Sequence, residues 1–261
     1  KGKLRWFAQK NRLKKVDAII TDSQNSKKDI IEIAGYPKNK IHVIYLAPAP
    51  NFKKLEIGNW KLEIKQKYHL PDTFVLYVGD VNWNKNIPGL VKACEKVGIP
   101  LVIVGKQAVS KNYDRTHVEN RDLVWLQNYF ENCKLKIENS RFLNLVGFVS
   151  TKDLVAIYNL ATVYCQPSFY EGFGLPVLEA MACGCPVISS NRGSLPEICG
   201  KAALMFNPQK KGDIGNALQK IIKSKKTAAD LSKRGLIQAK KFSWQKTARE
   251  TLNIYNKLCQ N

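Results

Sequence analysis

Phe74-Val75-Leu76-Tyr77-Val78-Gly79 is an unbroken apolar run ending in glycine, and Leu101-Val102-Ile103-Val104-Gly105 repeats the pattern further along. Strands apolar on both faces belong inside a parallel sheet, where helices cover each side. The segment between them, from about Ile87 to Val97, reads as one such helix. Downstream, Leu143-Asn144-Leu145-Val146-Gly147, Thr162-Val163-Tyr164-Cys165, Pro186-Val187-Ile188-Ser189 and Ala203-Leu204-Met205-Phe206 continue the strand series. Ser150-x-x-Asp153 resembles a capping box opening a helix. A second helix runs from about Pro176 to Cys183, and Lys-, Ala- and Leu-rich helices fill 211–258. The charged stretch 106–140 reads as partly helical and outside the sheet. Repeated strand–helix units of this kind predict an α/β protein with a doubly wound, Rossmann-like parallel sheet.

Upstream, Asp17-Ala18-Ile19-Ile20-Thr21 reads as a strand ending at a helix cap, Asp22-Ser23. A helix over Ser26–Ala34 is broken by Gly35-Tyr36-Pro37, and Ile41-His42-Val43-Ile44 is another strand. Pro48-Ala49-Pro50-Asn51 then looks like an extended connector. The predicted domains are 1–50, 51–242 and a final helical segment, 243–261. Residues 1–15 carry seven basic side chains interleaved with Leu4, Trp6, Phe7 and Leu13, a spacing that suits a basic amphipathic helix. Because the first residue is Lys1 and the segment after it reads as the middle of a fold, a fragment is expected.

The 261 residues hold 42 Lys plus Arg against 21 Asp plus Glu, a formal charge of +21. That excess favours anionic partners: nucleic acid, acidic lipid headgroups or phosphorylated small molecules. With 44% hydrophobic and 24% charged residues a packed core is expected and global disorder is excluded. No apolar run approaches the length of a membrane-spanning helix. The expected location is cytoplasmic, peripheral to the inner face of the plasma membrane. Seven cysteines with no paired Cys-x-x-Cys units read as buried thiols in a reducing compartment. The three histidines lack metal-ligand spacing, and no metal site is expected.

In open α/β sheets ligands bind beyond the carboxyl ends of the strands, which directs attention to Gly79–Asn86, Gly105–Gln107, Gly147–Ser150 and Gln166–Pro176. The last leads into Glu171-Gly172-Phe173-Gly174-Leu175-Pro176-Val177-Leu178-Glu179. Pro176 suits a first helical turn and Gly184 the position past its end. Glu179 is the one charge in an otherwise apolar or small-residue helix, costly there unless donors meet it. Ligand hydroxyls, backbone amides or a buried lysine are the candidate donors. Glu171 stands eight positions earlier, on the order of 10 Å away by helical rise plus a more extended loop. That separation suits two ends of an elongated ligand rather than an acid/base pair on one bond. Gly172 and Gly174 let backbone approach a ligand, and the helix start offers N–H groups to an anion. Ser194-x-x-Glu197 reads as another capping box.

Glu171-x7-Glu179 with Gly172-Phe173-Gly174-Leu175-Pro176 inside it closely resembles the signature of glycosyltransferase family 4, retaining enzymes of the GT-B fold that use nucleotide sugars. Gly79–Asn86, Val146–Val149 and Phe242-Ser243-Trp244 match in order and spacing. Ala18–Ser23 and Lys40–Phe52 look like the end of the amino-terminal acceptor domain and its connector. The resemblance implies that Glu179 holds the nucleotide ribose and that Glu171 stabilises positive charge at the anomeric carbon of the donor sugar. Backbone amides of Phe173, Gly174 and Leu175 would meet sugar hydroxyls and diphosphate, and Gly79 would border the same cleft. Lys85 would neutralise the diphosphate leaving group without metal, and Phe148 and Val149 would border the nucleobase. Where many members carry basic residues this chain has Asp80 and Asn84, so leaving-group stabilisation rests more heavily on Lys85. No separate cofactor is implied.

The expected function is transfer of a hexose, with mannose the first choice, from a GDP- or UDP-linked donor. The acceptor would be a saccharide or lipid-linked group in cell-surface polysaccharide synthesis, with peripheral contact to anionic membrane. Two alternatives are a basic nucleic-acid-binding protein, disfavoured because the basic residues are spread over surface helices, and a nucleotide-sugar epimerase on the same fold. The absence of Asp-x-Asp argues against a metal-clamped diphosphate.

Overall fold

The computed structural model describes residues 9–13, 15–56, 58–136 and 142–260, with 133–136 described by backbone alone. Most of the basic stretch 1–15 therefore lies outside the described residues; 9–13 within it are helical. The chain divides into two units, 1–47 with 242–261, and 48–241.

In the first unit, strand β1 (Ile19–Thr21) is followed by helix α1 (Gln24–Asp29) and strand β2 (Ile41–Val43), which pairs with β1 in parallel. The Ser23 hydroxyl caps α1 by accepting from the Ser26 amide at 3.0 Å. The helix starts two residues before the expected Ser26 and ends in a π-helical turn, Ile30–Ala34, at the left-handed Gly35.

The second unit opens with α2 (Trp60–Tyr68), a helix that the sequence pattern does not reveal. The regular series then runs β3 (Val75–Val78), α3 (Ile87–Val97), β4 (Leu101–Val104), α4 (Arg121–Lys136), β5 (Leu143–Gly147), α5 (Thr151–Leu160), β6 (Val163–Gln166), α6 (Leu175–Ala182), β7 (Val187–Ser190), α7 (Leu195–Cys199), β8 (Leu204–Phe206), α8 (Asp213–Ile222) and α9 (Lys225–Ala239). The strands lie in the order β5-β4-β3-β6-β7-β8 with every pair parallel. This is the doubly wound Rossmann-like arrangement, and its order reverses between β3 and β6, where such sheets open a crevice at their carboxyl ends. Alternate strand residues Val75, Tyr77, Leu101, Ile103, Val163, Cys165 and Ile188 share one core with Ile87, Leu90 and Val91 of α3 and Ile214, Leu218 and Ile221 of α8.

Ser150 caps α5 as expected, its hydroxyl accepting from the Asp153 amide at 3.2 Å. Asp153 does not complete the box. Its carboxylate accepts from Lys67 Nζ (2.8 Å) and the Tyr68 hydroxyl (2.6 Å) instead, fastening α5 to α2, and these partners hold its carboxyl below the usual carboxylate range. The final helix, α10 (Trp244–Cys259), groups with the first unit, where the Thr247 hydroxyl donates to the Tyr45 carbonyl at 2.6 Å and Phe242 meets Tyr45 edge-on. Among the described residues no helix is long and apolar enough to cross a membrane. Cys94, Cys165, Cys183, Cys185 and Cys199 are free and buried, while Cys259 is exposed.

Candidate active site

Two loops meet at the carboxyl ends of β3 and β6, and three consecutive residues of the first grip the second. The Asn84 carbonyl accepts from the Phe169 amide at 2.7 Å, and its side-chain amide donates to the Tyr170 carbonyl at 3.2 Å. Lys85 Nζ donates to both oxygens of Glu171, at 2.8 and 2.9 Å. Buried Asn86 donates to the Pro167 carbonyl at 3.1 Å. Asn84, which stands where many family members are basic, thus spends its polar groups on joining the loops. Asp80, the other departure, is exposed, and its carbonyl accepts from the Tyr77 hydroxyl at 2.7 Å.

Glu171 is nearly buried, with 11% of its side chain exposed against 21% for Lys85. Besides Lys85, its Oε1 accepts from Gln166 Nε2 at 2.7 Å and from the Ser168 hydroxyl at 2.6 Å. Gln166 in turn accepts from the Tyr164 hydroxyl. Among the described residues three donors reach Oε1 and one reaches Oε2, which leaves the open lone pair of this carboxylate on Oε2. Gln166 ends β6 and Ser168 lies just past it, but neither belongs to a motif in the sequence. Both are polar side chains at positions where burial is expected, and that mismatch was the available signal.

Beyond Glu171 the chain turns through Gly172 and Phe173 to Gly174, the N-cap of α6 at φ 93°, a left-handed value that favours glycine. Pro176 lies in the first turn of α6, which begins at Leu175, one residue before the expected Pro176. Among the described residues the Gly174 and Leu175 amides donate to no protein acceptor. They are available to an anion at a helix N-terminus. The β7–α7 loop supports this turn. A Cβ at Gly193 would lie 2.5 Å from the Glu171 carbonyl oxygen, so only glycine fits. The Ser194 hydroxyl reaches the Glu171 and Phe173 carbonyls at 3.1 and 2.9 Å. The expected capping box at Ser194 is therefore absent: its backbone is helical (φ −78°, ψ −11°), and it makes no side-chain cap bond.

Helix α6 buries Val177, Leu178, Ala180 and Met181 but leaves Glu179 half-buried, so its apolar composition does not bring cover on every side. Among the described residues the donor to Glu179 is neither a backbone amide nor a lysine. It is the phenol of Tyr158 on α5, 3.0 Å from Oε2. Burial raises the Glu179 carboxyl above its usual range, and the Tyr158 bond partly opposes the rise. Of the residues expected around a base, Val149 is buried, whereas Phe148, just past the end of β5, is 79% exposed. Gly79 directly follows β3 at φ 142° and is half-buried.

The architecture and sequence both have known counterparts. A family model described as glycosyl transferases group 1 matches residues 60–237. The O-antigen chain mannosyltransferase B of Escherichia coli is 32% identical over 249 residues, covering 92% of this chain and 60% of the relative. The serotype-specific mannosyltransferase WbdA of the same organism is 31% identical over 250 residues, covering 95% and 29% respectively. The chain therefore spans between 29% and 60% of the length of these relatives. Among solved structures, sucrose-phosphate synthase from Thermosynechococcus elongatus matches with a TM-score of 0.79 at 25% identity, over 99% of this chain and 62% of that one. Anabaena HepE in complex with UDP and glucose matches with a TM-score of 0.76 at 19% identity, over 94% and 64%. The fold is that of the GT-B glycosyltransferases, and with the family model matched across β3 to β8 the chain belongs to the group 1 glycosyl transferases.

Proposed function

We propose that this chain carries the donor-binding part of a retaining, family 4 glycosyltransferase that moves a hexose, mannose first, from a GDP- or UDP-linked sugar. The acceptor is a saccharide or lipid-linked group in surface polysaccharide assembly, as the names of the Escherichia coli relatives suggest. The observation that carries this reading is the bidentate Lys85–Glu171 pair at the switch point, beside the amides that open α6.

Lys85 Nζ has three N–H donors, of which Glu171 occupies two, so one remains for a phosphate oxygen of the departing diphosphate. The Gly174 and Leu175 amides supply further donors along the same anion. Both act electrostatically on charge that develops as the glycosidic bond breaks. The open lone pair of Glu171 Oε2 faces the positive charge that grows on the anomeric carbon. Glu179 accepts from ribose hydroxyls, and Phe148 and Val149 border the base. Residues 1–15 add a basic segment for anionic lipid.

The test is calorimetry with GDP-mannose, GDP and UDP on the wild type, Lys85→Ala and Glu179→Ala. Each variant is expected to lose at least about tenfold in nucleotide affinity, the loss in Lys85→Ala following the diphosphate. Undiminished binding in both variants would refute the assignment.

A further inference from the structure

The donor to Glu179 belongs to a residue that neither the motif nor the comparisons single out. Tyr158 is fully buried, its ring packed edge-on against Phe52 (centroids 6.0 Å apart) and near Tyr164 (5.7 Å). A side chain so enclosed has little rotamer freedom, and its hydroxyl points at one oxygen, Glu179 Oε2. Among the described residues no other group bonds this carboxylate, and Oε1 is not among the sealed polar atoms. One carboxylate oxygen is thus fixed from inside the core while the other is left accessible. Helix α5 also begins directly after the Val149-Ser150 step, so one rigid element links Glu179 to the loop carrying Phe148 and Val149.

We propose that Tyr158 is a positioning residue for nucleotide binding: its phenol fixes the orientation of Glu179 and presents Oε1 to the two ribose hydroxyls. This rests on the ribose role proposed above for Glu179. The groups facing the carboxylate are Tyr158 from α5, Tyr164 from β6 and Cys183 from the end of its own helix; the connector reaches Cys183 through the Lys53 backbone. Burial pushes the Cys183 thiol up to about 12 and both phenols above their usual range, so none adds charge near neutrality. The phenol's hydrogen bond is then the interaction that favours the charged form of Glu179 against burial. Nucleotide binding should fall as pH drops through the raised Glu179 transition, and removing the phenol should move that fall to higher pH.

The experiment is calorimetric binding of GDP and of dideoxy-GDP, which lacks both ribose hydroxyls, from about pH 5 to 8. Wild type, Tyr158→Phe and Glu179→Gln are compared, with thermal melts as the check of fold; Phe keeps the ring contact with Phe52. Tyr158→Phe is expected to bind GDP about fivefold more weakly at neutral pH, with the loss deepening and the pH midpoint rising in mild acid. Its affinity for dideoxy-GDP should equal that of the wild type. An unmoved midpoint in Tyr158→Phe, or equal losses for GDP and dideoxy-GDP, would overturn the positioning role. Should Glu179→Gln bind GDP as the wild type does, or the wild type not bind GDP, the ribose reading of Glu179 fails instead.

Discussion

Glu171 and Glu179 lie eight residues apart on one turn-and-helix segment, yet their surroundings are opposites. Glu171 receives four hydrogen bonds from Lys85, Gln166 and Ser168, and its backbone is braced by Gly193 and Ser194. Among the described residues Glu179 receives one, from Tyr158, and keeps an oxygen open. The first is a charge the protein itself pairs with a cation; the second, under the proposed reading, is left for a ligand to complete. Building one site from both kinds separates two costs. Ordering is met at Glu171 during folding, whereas Glu179 is partly desolvated in the fold and, under the proposed reading, completes its desolvation on binding.

The contrast can be broken most forcefully at Lys85. Lys85→Ala leaves the Glu171 carboxylate without its cation and is expected to cost about 3 kcal/mol of stability, read as a lowered melting temperature. Pairing it with Glu171→Gln should restore most of that stability while nucleotide diphosphate affinity stays low, which separates the structural from the binding role. Ser194→Ala comes next. It strips a buried hydroxyl from the Glu171 and Phe173 carbonyls and should cost about 1–2 kcal/mol, measured by urea denaturation. Ser168→Ala removes one of three donors from Oε1 and should cost about 1 kcal/mol, with GDP affinity nearly unchanged because Lys85 and Gln166 remain.

At Glu179 the expected effect on stability is smaller and reverses in sign. Its folded carboxyl is raised, so the carboxylate costs stability once pH exceeds the folded transition, and protonation recovers that stability as pH falls toward the unfolded value. Glu179→Gln should therefore melt above the wild type in mild alkali, the gap closing in acid. Nucleotide affinity of the wild type should run the other way, falling in acid. Parallel melts and titrations across pH would show the two curves crossing; curves that fall together would mean that Glu179 serves the fold alone.

The strands were legible because a parallel sheet buries both faces, and Phe74–Gly79 or Leu101–Gly105 cannot be read otherwise. Pro176 and Gly184 bracketed α6 to within a residue or two by local chemistry. Helix α2 escaped notice because only Ile64 of its nine residues is buried and its charges follow no clear face. The partners of the two carboxylates escaped for another reason. Tyr158 is 21 residues from Glu179, and Lys85 is 86 from Glu171. Such bonds leave no local period in a sequence. Family resemblance supplied Lys85, but Tyr158, Gln166 and Ser168 needed the fold. Ser194 shows the converse, a local pattern that matched while its backbone geometry did not.

The grip of Asn84, Lys85 and Asn86 on residues 167–171 acts as a suture at the dividing line of the sheet, whereas the loop carrying Phe148 follows β5, an outer strand. On the function proposed above, reaction machinery and base reader are tailored from separate cloth. Under the proposed reading, donor preference can be redesigned by recutting the segment after Gly147, with the seam that sets the reactive groups left intact.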